Sequence, residues 1–138
     1  MLKIITTIAF FICTLLMSAQ NVNLTVSVSG LKSNAGTLKV GLYNSEGTFL
    51  KSVYKGISSE IKNNSATLTF VGIPKGEYGI SAYQDENSNG KLDKNMMGIP
   101  SEDIACSNNA KGFMGPPKYK DAKFNINKDS KIDIKFNN

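Results

Sequence analysis

The run "YQDENSNGKLDKN", residues 83 to 95, places oxygen-bearing side chains at alternate positions. Calcium is a hard cation that takes about 6–8 oxygen ligands at about 2.3–2.6 Å. Counted from Asp85, side-chain oxygens fall at loop positions 1, 3, 5 and 9, a carbonyl at 7 and Gly90 at 6, the spacing that wraps such an ion. The metal set is therefore Asp85, Asn87, Asn89, Lys91 through its carbonyl, and Asp93. Position 12 of the EF-hand pattern is a bidentate Glu, and here it is Met96. Glu86, Glu102 and Asp103 are the carboxylates available to complete the shell. Two carboxylates in the core set predict weak binding, in the range of about 10⁻⁴–10⁻³ M common for extracellular modules. The same residues also make a plain polar turn, because Asp, Asn, Ser and Gly dominate tight turns. Asn89-Gly90 is a turn signal by itself. Both readings stand at this stage.

Other chemistry is thinner. Glu102 with Asp103, or either with Asp85, is a carboxylate pair of the kind used in acid–base catalysis. Adjacent acids on surface loops are more often merely solvated. The run "GFMGPP" with Tyr119 offers apolar and aromatic groups for a sugar or peptide. The competing reading has Phe113 and Met114 plugging an open end of the fold. Cys106 reads as a reactive thiol or, more simply, as a small partly buried residue. There is no histidine and no arginine, and all 16 basic residues are lysine. Without histidine the usual nucleophile lacks its usual base, and histidine-rich zinc or copper sites are excluded. Without arginine there is no bidentate reader of phosphate or guanine. The expectation is a protein that is not an enzyme, with no catalytic residues and no nucleic-acid partner. The net charge of +5 is spread. In the last third, Lys118, Lys120, Lys123, Lys128, Lys131 and Lys135 alternate with apolar residues, as on wet strand faces and guarded sheet edges.

These loops need a scaffold. Residues 1 to 19 read as a secretory signal peptide: Lys3, an apolar run over residues 4 to 17, then Ser18 and Ala19 before Gln20. The run is shorter than the roughly 20 apolar residues of a membrane span. No transmembrane segment is expected after cleavage, and the expected address is secreted, periplasmic or cell envelope. Cys106 would then be the single cysteine left, so no internal disulfide forms. Residues 20 to 138 have the size of one domain.

Within that domain, Val22, Leu24, Val26 and Val28 alternate with polar residues, the period of a half-buried strand. Leu38, Val40 and Leu42 repeat the pattern, then residues 53 to 61, then Ala66, Leu68 and Phe70. Tyr78, Ile80 and Ala82 follow a Pro74–Gly76 turn, and Phe124 with Ile126 and Ile132 with Ile134 and Phe136 close the series. "KNNS" is a hairpin turn, since Asn tolerates positive φ. Residues 96 to 120 show no period and read as one long connection, and such connections are more often functional than idle. The prediction is a single seven-stranded antiparallel β-sandwich of the immunoglobulin-like or transthyretin-like kind. Val26, Val40, Leu68, Ile80, Phe124 and Ile134 should share its core.

The run "GIPKGEYGISAYQDENSNGKLDKNMMGIPSEDIACSNNAKGFMGPPKYKDAKF" resembles the secreted bacterial family catalogued as domain of unknown function 2141. The resemblance spans residues 22 to 137. It implies an extracellular address and a β-module, and it implies no established activity. The functional expectation is a secreted, non-enzymatic module with a structural or ligand-binding role and an unknown extracellular or envelope ligand. The alternative is a carbohydrate- or peptide-binding accessory protein of the cell envelope.

Overall fold

The computed structural model describes residues 20–137. The signal-peptide expectation falls on residues 1–19 and lies outside the described residues. Among them eight strands form two sheets. In chain order they are β1 (Val22–Ser29), β2 (Thr37–Tyr43), β3 (Lys55–Glu60), β4 (Ala66–Ile73), β5 (Gly76–Asp85), β6 (Ile104–Cys106), β7 (Phe124–Ile126) and β8 (Ser130–Lys135). One three-stranded sheet has the order β4-β1-β8. The other runs β3-β2-β5-β6, and β7 also pairs with β5. Among the described residues helix is confined to a 3-10 turn at Ser107–Asn109 and one short helix, α1 (Tyr119–Ala122). Among the described residues no helix is long and apolar enough to cross a membrane.

The alternation read from the sequence decides which face is buried. Val22, Leu24, Val26 and Val28 of β1 all face inward, as do Leu38, Val40 and Leu42 of β2. With Phe70 and Ile73 of β4, Ile80 of β5 and Ile134 of β8 they form one cluster shared by both sheets. The Pro74–Gly76 turn carries the chain from one sheet to the other. There the Tyr78 hydroxyl donates to the Pro74 carbonyl at 2.6 Å and fixes the corner. At the "KNNS" hairpin Asn63 and Asn64 have φ of 52° and 55°.

Four expectations need correction. The strand count is eight, because residues 104–106 form β6 inside what reads as a featureless connection. Ile104, Ala105 and Cys106 are apolar in a row and show no alternation. The pairing is not wholly antiparallel either, since β8 runs parallel to β1. Alternation fixes which face a strand buries and says nothing about its neighbour's direction. The third strand starts at Lys55, leaving Val53 exposed. Of the six core residues named from the sequence, Val26, Val40, Leu68, Ile80 and Ile134 are buried. Phe124 is only partly buried, packed on the core's margin from the short β7.

Along the outer edge of β5, β7 pairs with residues 76–78 and β6 with residues 81–83. The gap between them is closed by a side chain. Buried Ser107 accepts the Ile80 N–H at 2.9 Å and donates to the Ala122 carbonyl at 2.6 Å. Asn108, at φ 58°, donates to the carbonyls of Asp121 and Lys123 at 3.2 and 2.8 Å. The "SNNA" run is thus the clasp that holds α1 to β5. Ser107→Ala leaves a buried strand N–H without a partner and is expected to cost about 1–3 kcal/mol in chemical denaturation. A neutral effect would show that this hydroxyl is dispensable.

Candidate functional site

The acidic loop is closed by its own side chains. Asp85 ends β5 opposite Thr37 and is fully buried. Its Oδ1 accepts the Asn89 N–H at 3.1 Å, and its Oδ2 accepts the Gly90 N–H at 2.8 Å. Gly90 has φ 78°, so the sharp turn predicted there is present. Gly36, at φ 70°, packs directly on the Asp85 carbonyl and leaves no room for a Cβ. Asn87 and Asn89 each donate a side-chain N–H to Asp93, both at 2.7 Å. Their own carbonyl oxygens accept the N–H groups of Asn89 and Lys91 at 3.2 and 2.9 Å. Lys91 is exposed.

Glu102 reaches back from the next loop. It accepts the Glu86 N–H at 3.2 Å and the Asp93 N–H at 3.1 Å. Asp103 turns elsewhere, to Lys32, whose ammonium lies 2.8 Å from its Oδ2. That hydrogen bond and the carboxylate charge raise the Lys32 pKa. Glu102 and Asp103 therefore do not converge as an acid–base pair. The half-buried Tyr83 ring lies beside the loop. Burial pushes its phenol up, and the carboxylates of Asp85, Glu102 and Asp93 push it further. Among the described residues no three His, Cys, Asp or Glu side chains group closely enough to hold a metal by themselves. A cation here would need the asparagine and backbone oxygens as well, and it would have to displace the two amide donors on Asp93.

The loop borders a groove of about 1300 Å³ on the outer face of the five-stranded sheet. The pairing register explains the trough. Gly56, Gly41 and Ser81 stand in one cross-strand row, and Ser58, Lys39 and Tyr83 in the next. The first row has almost no side chains. The Val53 and Tyr43 side chains lie close over Gly41, where a Cβ would meet Val53 at 2.8 Å, and the space over Gly56 is open. Phe49, Leu50, Lys51 and Val53 wall one side, while Leu92, Ile99 and Met114 with Pro116 and Pro117 come from the other loops. One end rests on a second small core of Tyr43, Phe49, Cys106, Tyr119 and Ala122. Phe49 packs edge-on against Tyr43 at 5.2 Å and tilted against Tyr119 at 5.5 Å.

Two sequence expectations fail at this face. Tyr119 is buried in the second core and is no exposed contact residue. Phe113 and Met114 plug nothing, being 90% and 95% exposed. Their loop projects outward because α1 has already supplied Tyr119 and Ala122 to the hydrophobic cluster. Cys106 is buried, and burial raises its thiol pKa to about 11 against a partial offset from Ser81. The thiolate is the nucleophile, so native protein at pH 8 should resist iodoacetamide and react fully once denatured. Fast native alkylation would contradict this burial. The groove floor was the feature sequence reading passed over. Its signal was present: a glycine on the wet face of each of two neighbouring strands, Gly41 and Gly56.

The chain is an all-β protein of two sheets, with one long ordered connection arched over an outer sheet face. It belongs to the bacterial family described as "Uncharacterized protein conserved in bacteria (DUF2141)", which matches residues 26–135. That span runs from within β1 to the end of β8 and takes in both the acidic loop and the groove. No match is found among curated proteins or among solved structures.

Proposed function

We propose that this protein is a secreted or envelope-located, non-enzymatic β-sandwich module that binds a ligand in the groove over its five-stranded sheet. The observation that carries this reading is the groove itself. Ligand sites are concave and mainly apolar, with few polar groups, and typically hold about 300–1,000 Å³. The trough is large enough, and Tyr83, Ser58 and Ser81 are its hydroxyl donors. The corner hydrogen bond of Tyr78 resembles the tyrosine corner of immunoglobulin-like sandwiches. The absence of histidine from the whole chain supports a binder over a hydrolase.

The test is native mass spectrometry after incubation with bacterial envelope extract. Ser58 is exposed on the groove floor at an edge strand, so Ser58→Trp fills the trough without entering the core. The protein should carry a discrete adduct that Ser58→Trp lacks. The same adduct on both, or none on either, contradicts the reading. A glycan or peptide mass would identify the accessory-protein alternative.

In the same reading the 85–93 loop is a calcium-stabilised pin for the groove wall. Asp85, Asn87, Asn89, the Lys91 carbonyl and Asp93 would hold the ion, with Glu102 as the further carboxylate. Ligand binding to the folded state stabilises by about 2.7 kcal/mol at a hundredfold excess over Kd. Calcium at millimolar concentration is expected to raise Tm, and Asp85→Ala to remove the rise. An unchanged Tm would leave the loop as a self-closed polar turn.

A further inference from the structure

We propose that the ligand of this groove is an amphipathic anion, a small molecule with an apolar chain or ring and one acidic group. This rests on the groove being the binding site. The charge of its lining is one-sided. Lys39, Lys51 and Lys94 border it, and no Asp or Glu does. Among the described residues the ion pairs are Lys32–Asp103 and Lys123–Glu77, so none of the three groove lysines is neutralised by a carboxylate. Lys39 is the telling one. It rises from the floor between Ser58 and Tyr83, half-buried, and its ammonium makes a long 3.3 Å hydrogen bond to the Ser58 hydroxyl.

Among the described residues no carboxylate lies within ion-pair distance of it. Asp85, Asp93 and Glu102 are turned into their own loop, occupied by backbone N–H groups and asparagine amides. An ammonium that no carboxylate pairs is free to take one, and an acidic group arriving there makes a charge-assisted hydrogen bond with it. The apolar walls at Leu92, Ile99 and Pro116 then cover the rest of the molecule. A cation would meet three like charges. A neutral amphiphile would gain the walls and leave Lys39 unpaired.

Decanoate and decyltrimethylammonium below their micelle concentrations, and 1-decanol below its solubility limit, separate these cases. Binding to the purified protein is followed by backbone amide shifts. Decanoate should move the amides of Lys39, Ser58 and Tyr83 and bind at least about tenfold tighter than the other two, about 1.4 kcal/mol. Lys39→Gln should lower decanoate affinity by about the same factor and leave decanol unchanged. Equal affinities for all three probes, or an indifferent Lys39→Gln, would overturn the anionic class while the groove remains a site. No decanoate shift in the groove, with the envelope adduct still lost in Ser58→Trp, would overturn the ligand class alone. Absence of both decanoate binding and any adduct would overturn the class and the groove reading together.

Discussion

Replacing Phe70 with alanine is expected to destabilise the protein by about 3–5 kcal/mol, the usual cost of emptying a buried phenylalanine site. Phe70 lies on β4 opposite Leu24 of β1, and both are buried in the cluster shared by the two sheets. The strands around it are hydrogen-bonded into sheets, so their backbones cannot collapse far into the space left behind. Urea denaturation should show a lower midpoint with an unchanged slope. Phe124→Ala is the internal comparison. It sits at the core's margin on a three-residue strand and should cost clearly less. Equal losses at the two positions would mean that the core boundary is misdrawn.

Asp85→Ala should produce the second large loss. Hydrogen bonds to a charged group are worth about 1.5–3 kcal/mol each, and the buried Asp85 carboxylate accepts two of them. The two N–H groups sit on exposed residues and can turn to water, so the net cost should stay near about 1.5–3 kcal/mol. Hydrogen exchange gives the local readout. The amides of Asn89 and Gly90 should lose protection while those in the middle of β1 keep theirs. Uniform loss across the protein would mean that Asp85 supports the sheet end and not the loop.

How much of this was legible beforehand depends on the length of each pattern. The alternation in β1, β2, β4 and β5 runs far enough to declare both strand and buried face, and those faces do form the core. The turn glycine at residue 90 and the hairpin asparagines were legible because positive φ restricts the residue types that fit. β6 was invisible because Ile104, Ala105 and Cys106 are apolar in a row, without the alternation that Phe124, Asn125 and Ile126 of the equally short β7 show. β8 was legible as a strand but not as a parallel partner of β1, since that choice depends on the path through β7. The Ser107 clasp could not be read either. A serine shows its role only when the strand gap it bridges is known.

In the site, the loop's membership was legible and its bonding was not. Asp85, Asn87, Asn89 and Asp93 do gather, and Glu102, one of three carboxylates considered from the sequence, comes back to meet them. That the asparagine amides donate to Asp93 follows from side-chain rotations that residue spacing does not encode. The exposed Phe113 and Met114 invert the ordinary expectation for large apolar residues, because the second core was already filled from α1 and the loop at residue 49.

The central claim is that ligand binding occurs over the five-stranded sheet. The two sheets offer contrasting outer faces. One is the groove with Lys39, Ser58 and Tyr83, and the other presents Thr25, Thr69 and the exposed Val71 of the three-stranded sheet. Amide shift mapping of the isotopically labelled protein against an envelope extract compares them in one experiment. The account predicts perturbations at Lys39, Ser58, Ser81 and Tyr83, with Thr25, Thr69 and Val71 unmoved. Perturbations confined to the threonine face, with the groove amides unchanged, would contradict it.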